Sequence, residues 1–365
     1  MTDGERLRIL YVALTRARQT IYITNSLADF TDKKRERLEY LKEHVEDDKI
    51  ISDILPSHEV TKISIKEDEK DRLRNIDSWI HRSIIEVPEM RLYYKTKVEN
   101  FRMSASALTT FIDVIYGGPE TFFRQYVLGL REPETDAMVF GTLMHATFEK
   151  VTNENIPDEE AIDFYLSELD KSSVVSDIKT VLREKGVVNL RESLTIFGPI
   201  IRNGKAEVDF SSERLVVDGV PISGKIDHIM IDKKTKTIEV FDYKTGSFHP
   251  ESWKSHPSLY VQMLQLLFYK MLINNSREYR NFKVTKGHIL YVVKDRGDEK
   301  VHEKTYIYDE KDENTFMELL KAVYSQVKDL HFLDDPEIFI APDKGKNMRA
   351  LKDFITLLLA KNSKQ

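Results

Sequence analysis

Residues 224–246, GKIDHIMIDKKTKTIEVFDYKTG, read as one β-hairpin with charged side chains gathered at its open end. Ile and Val populate both arms, and the polar run DKKTKT between them supplies the reversal. Folding the segment about Lys234 and Thr235 sets Asp227 opposite Asp242. Residues opposed across an antiparallel pair share a face, with Cβ atoms about 5 Å apart. Strand side chains alternate with period 2, so that face carries Ile229, Ile231, Ile238 and Val240 near the turn and Asp227, Asp242 and Lys244 at the far end. Two carboxylates at that separation repel unless a cation lies between them, and hard oxygen ligands favour Mg²⁺ or Mn²⁺. An amine beside them suits negative charge that develops in a reaction. The same register sets Lys225 opposite Lys244, a like-charge pair that needs anions, metal-bound carboxylates or a bulge to separate it.

With G-K-I-D on the first arm and D-Y-K-T-G on the second, the D…D-x-K arrangement resembles the active site of RecB-type PD-(D/E)xK nucleases. A lone D-x-K is ordinarily a solvated hairpin. Here flanking motifs stand in the family's order. Before the hairpin, F-G-T-L-M-H-A-T-F-E-K-V reads as a helix in which Gly141 and His145 match the G-x-x-x-H motif of that family. A histidine in an apolar helix is most often a core residue; the resemblance makes His145 a metal ligand instead. Glu149 lies one turn further on the same face and ranks second. After the hairpin, Gln262, Gln265 and Tyr269 form a polar stripe on an apolar helix, and Gln265 with Tyr269 matches the family's Q-x-x-x-Y.

The resemblance implies a metal-dependent DNA nuclease. Asp227, Asp242, His145 and the backbone carbonyl of Tyr243 would hold one or two Mg²⁺ or Mn²⁺ ions. Lys244 would orient the attacking water or stabilise the pentavalent transition state, and Gln265 and Tyr269 would help place the lysine and the nucleic acid strand. The competing reading is a catalytically silent nuclease fold that serves as a DNA-binding or subunit-docking module. Both acids and the lysine are present, which favours an active site.

The N-terminal E-R-L-R-I-L-Y-V-A-L-T-R-A-R is similar to the last motif of UvrD/Rep-type superfamily 1 helicases, over about the first 25 residues. In that family the arginine of T-R-A, here Arg16, reaches the γ-phosphate of ATP. No G-x-x-x-x-G-K-[ST] loop occurs in the chain, so Arg16 has no nucleotide to act on without a missing helicase portion or subunit. The expected organisation is a helicase end at 1–26, a charged helical linker at 27–102 and a nuclease domain at 103–365, the C-terminal portion of a larger helicase-nuclease. In the last of these, Ser104 or Ser106 caps a helix through ALTTFIDVIY, Gly117 and Gly118 stop it, and Pro119 starts the next. Strands at KGHILYVV and KTYIYDE and helices at NTFMELLKAVYSQVKDL and MRALKDFITLLL complete an α/β or α+β domain. Its mixed central sheet is flanked by helices, a restriction-endonuclease-like core.

Composition narrows the classes further. The chain has 365 residues, 41% hydrophobic and 10% aromatic, enough for about two domains with a substantial core. No apolar run approaches the roughly 20 residues of a membrane helix, and the charged N-terminus does not read as a signal peptide; the expected location is cytoplasmic. With no cysteine there is no disulfide, thiolate zinc site or cysteine-ligated iron–sulfur cluster, although several RecB-type relatives hold such a cluster. The net charge of −6 opposes phosphate contact globally, while the 55 Lys and Arg residues leave room for a basic groove.

Overall fold

The computed structural model describes residues 88–130, 135–294, 300–339 and 347–362. The motif containing Arg16 and most of the charged segment after it lie outside these residues. All described residues fall in one compact unit that runs from Leu73 to Gln365.

Helix α1 (Pro88–Val98) buries Tyr94 and Val98 in the main core, so the end of the segment expected as a linker is packed into the same unit. Helix α2 (Ala105–Ile112) starts where the sequence signalled, at Ser104, whose hydroxyl accepts from Ala107 N–H. It stops at Ile112, earlier than Gly117; Gly118, with φ 88°, then turns the chain into a short helix headed by Pro119. Three longer helices follow: α3 (Asp136–Glu154), α4 (Asp158–Lys171) and α5 (Ser176–Ile201). The sheet contains β1 (Lys205–Asp209), β2 (Lys225–Asp232) and β3 (Thr237–Lys244), then β4 (Lys283–Tyr291) after helix α6 (Pro257–Asn275), and β5 (His302–Ile307). Helices α7 (Glu310–Lys328) and α8 (Met348–Asn362) close the chain.

The five strands lie side by side in chain order. Every pair is antiparallel except β3 and β4, whose parallel pairing requires the crossover through α6. This is the mixed sheet flanked by helices that the sequence implied. Strand alternation divides the hydrophobic residues between two cores. Ile229, Ile238 and Val240 enter the one built with α1, α2, α6, α7 and α8, while Phe241 and Tyr243 enter the other, built with α3, α4 and α5. Helix α6 is apolar almost all round because it is covered by the sheet on one side and helices on the other.

The turn from α5 into β1 depends on Gly204. Its φ is 125°, and a Cβ there would lie 2.2 Å from the Ile229 carbonyl oxygen, so a larger residue would push β1 off β2. Under this turn His228 is fully buried, with Nε2 2.8 Å from the Asn203 carbonyl. Burial disfavours the imidazolium and lowers the His228 pKa to about 4. An unfolded chain binds this proton near pH 6.5 and the folded protein only near 4, so the stabilisation is complete above about 6.5 and drains away as pH falls through that window. Thermal or urea unfolding should therefore lose stability between pH 7 and 4.5, and His228→Gln should reduce that loss by about 2 kcal/mol. Equal pH profiles for the two proteins would rule out His228 as the titrating group.

Candidate active site

The hairpin has the register read from the sequence, from Asp232 opposite Thr237 to His228 opposite Phe241. There the ladder between its arms ends. Toward the open end β2 is paired with β1, with Lys225 opposite Asp209, and β3 with β4, with Lys244 opposite Tyr291. In the fork Tyr243 N–H donates to Asp227 Oδ2 at 3.0 Å, a side-chain carboxylate replacing a strand carbonyl. Lys225 and Lys244, opposed in the register read from the sequence, are separated as that reading required, here by the end of the ladder and by a different acid for each. Lys225 Nζ lies 2.8 Å from Glu207 Oε2, and Lys244 Nζ lies 2.7 Å from Asp242 Oδ2.

One half of the site is a closed polar network on the α6 side. Asp242, 1% exposed, accepts at Oδ1 from Gln265 Nε2 at 2.8 Å and from the Tyr269 hydroxyl at 3.1 Å. Gln265 Oε1 accepts from Lys244 Nζ at 3.0 Å, and its Nε2 lies 2.7 Å from the Tyr269 hydroxyl. The Q-x-x-x-Y spacing on one helical face thus holds the D-x-K of the neighbouring strand. Burial opposes the Lys244 ammonium, but the charges of Asp242 and Asp227 outweigh it and raise its pKa. Burial, reinforced by Asp242, pushes the Tyr269 phenol well up, so it remains a donor. Gln262, third in the polar stripe, accepts from the Tyr291 hydroxyl at 2.6 Å and braces the sheet instead.

The other half brings His145, Asp227 and Glu207 together, each with one ligand atom within 4.8 Å of the others. His145 reaches the fork from α3, with Nε2 3.1 Å from the Tyr243 carbonyl oxygen and Nδ1 3.4 Å from Asp227 Oδ2. With Nε2–H donating to that carbonyl, the Nδ1 lone pair faces Asp227. Burial, the largest influence, lowers the His145 pKa and keeps the ring neutral. Burial, with the nearby charge of Asp242, raises the Asp227 pKa well above the carboxylate range. Asp227 is thus an acid short of a cation. One neutral imidazole nitrogen and two carboxylates fit a divalent ion such as Mn²⁺ or Mg²⁺. Gly141 faces the strand end across a contact that a Cβ could also make, 3.4 Å from Thr245 Oγ1, so the structure does not require glycine there. Glu149, half-buried one turn after His145, contributes its charge to Lys225.

Glu207 is absent from the residues singled out in the sequence. It sits inside K-A-E-V-D, a short alternating stretch just before the hairpin, and that acid in a strand next to G-K-I-D was the available signal. Its backbone lies in the left-handed region, φ 51°, which is strained for a non-glycine residue and leaves no trace in the sequence.

A sequence profile for the PD-(D/E)XK nuclease superfamily matches residues 102–344, a span that contains every residue of this site. Among solved structures, the chain is similar to a protein from Eubacterium rectale provisionally described as an exonuclease. The identity is 11% and the TM-score 0.41, over 66% of this chain and 86% of that one.

If Glu207 is a ligand, Glu207→Gln should weaken Mn²⁺ binding by at least about tenfold in a calorimetric titration, comparably to Asp227→Asn. Unchanged affinity would remove Glu207 from the site.

Proposed function

The chain belongs to the PD-(D/E)XK nuclease superfamily, and from that premise we propose that it is a Mg²⁺- or Mn²⁺-dependent DNA nuclease of the RecB type. The observation that carries this reading is the Asp242–Lys244–Gln265–Tyr269 network beside the His145, Asp227 and Glu207 cluster. A silent module would have no need to bury an acid and an ammonium group together, at the desolvation cost this carries.

In this reading His145, Asp227 and Glu207 are the ligands, with Asp242 Oδ2 and the Tyr243 carbonyl bordering them. The ion, when bound, would acidify a water and draw off charge from the phosphate. Asp227 would offer its carboxylate and neutral His145 its Nδ1. Lys244, kept charged by Asp242 and oriented by Gln265, would face the hydroxide or the phosphate oxygens that gain negative charge. Tyr269 and Gln265 both donate to Asp242 Oδ1, which orients the carboxylate so that Oδ2 faces Lys244. Such prearranged charge is worth on the order of 3 kcal/mol per group.

The wider context belongs to the same proposal. Residues 1–26, with Arg16, would be the end of a superfamily 1 helicase motor, and the nuclease would work in DNA repair or recombination beside the missing ATP-binding portion. Among the described residues no helix is long and apolar enough to cross a membrane.

Cleavage of single- and double-stranded DNA with Mg²⁺ or Mn²⁺ tests the activity. Lys244→Ala should lower turnover by about two decades and Asp242→Asn by at least as much. Metal-independent cutting would sink the metal-dependent mechanism, equal rates in wild type and Asp242→Asn would remove Asp242 from it, and metal-dependent DNA binding without cleavage would support the silent module.

A further inference from the structure

We propose that Lys225 is an internal stand-in for the divalent cation at Glu207: its ammonium group holds that carboxylate in the metal-free protein and must leave when the ion enters. The inference rests on the metal-binding reading of His145, Asp227 and Glu207 given above. It assigns Lys225 a positioning role and makes the Lys225–Glu207 pair a determinant of metal affinity.

The argument begins with charge. Glu207, Asp227 and Asp242 share the fork with Lys225 and Lys244, and the two lysines are not equivalent. Lys244 is 28% exposed and fixed at both Asp242, 2.7 Å, and Gln265, 3.0 Å. Lys225 is 51% exposed, and among the described residues its ion pair is with Glu207, at 2.8 Å. Its pKa is raised, first by the hydrogen bond to Glu207 and then, against some desolvation, by the charges of Glu207, Glu149 and Asp209. Sequence position provides this reach. Lys225 precedes Asp227 by two residues on β2 and shares its face, while Glu207 precedes Asp209, the β1 residue opposite Lys225, by two. The ammonium therefore reaches diagonally across the strand pair to the carboxylate beside Asp227.

Glu207 is the more enclosed partner of the pair, and its carboxylate already lies with His145 and Asp227. Its side chain is 17% exposed against 51% for Lys225, on a strand residue held at φ 51°. Lys225 has a flexible stem and open solvent on its other side. A divalent ion held by three converging ligands takes the carboxylate, and the ammonium swings outward. Expelling a positive charge from one ligand lowers the affinity of the free site for metal, and it leaves a mobile cation at the mouth of the site.

Lys225→Gln and Lys225→Arg test this, with Mn²⁺ titrated calorimetrically at low ionic strength and melting followed in chelator and in Mn²⁺. Lys225→Gln should bind Mn²⁺ about threefold or more tightly than wild type. It should also melt lower in chelator, where Glu207 has lost its partner, and gain more from Mn²⁺; Lys225→Arg should behave as wild type. A residue that merely supports the strand would weaken metal binding when replaced, so equal or weaker affinity in Lys225→Gln overturns the proposal. Wild-type protein that binds no Mn²⁺ would overturn the metal reading of the cluster, and this inference with it.

Discussion

Carboxylates outnumber ammonium groups where the hairpin forks, and that imbalance governs the site. Glu207 is matched by Lys225 and Asp242 by Lys244, which leaves Asp227 with a neutral histidine and a backbone N–H. An ionised carboxylate so placed is costly, and the Asp227 pKa rises in response, chiefly through burial. On the proposed reading, a bound ion would supply the missing charge.

The fold exists to hold that fork open. A continuous ladder would have put Lys225 against Lys244 and closed the space between the two arms. Beyond His228 and Phe241 the two arms part while β2 stays on β1 and β3 on β4, and at that opening His145 on α3 and Gln265 and Tyr269 on α6 meet the strand ends from opposite layers. Each layer is anchored by its own core, and the hairpin contributes to both. Ile229, Ile238 and Val240 are buried toward α6, and Phe241 and Tyr243 toward α3. Without cysteine, this packing carries the whole task of keeping the strand ends in place.

Short-range regularities were legible in the sequence. The period-2 pattern of residues 225–244 gave the hairpin register from Asp232/Thr237 to His228/Phe241, beyond which the expected pairing of Asp227 with Asp242 gives way to the fork, and helical spacing put Gln265 and Tyr269 on one face. Ser104 and Pro119 marked helix starts as expected. The sequence reading assigns no element between Glu154 and Gly224. Helix α4 there did carry local signals, with Asp158, Glu159 and Glu160 in its first turn and Ile162, Tyr165 and Leu169 on one buried face, whereas β1 is a five-residue strand whose pattern is too short to stand out.

Glu207 and Lys225 mark the boundary between the two kinds of information. That the hairpin would gather two acids and a lysine at its open end follows from strand periodicity, since neighbours along one chain are placed by local geometry. Which acid each lysine would choose depends on where a distant strand runs and how a single residue on it bends. Pairing of β1 with β2, Gly204 at its entry and the left-handed backbone of Glu207 are long-range and steric outcomes. No pattern within residues 224–246 encodes them, and so the third carboxylate and the partner of Lys225 emerged when the chain was folded.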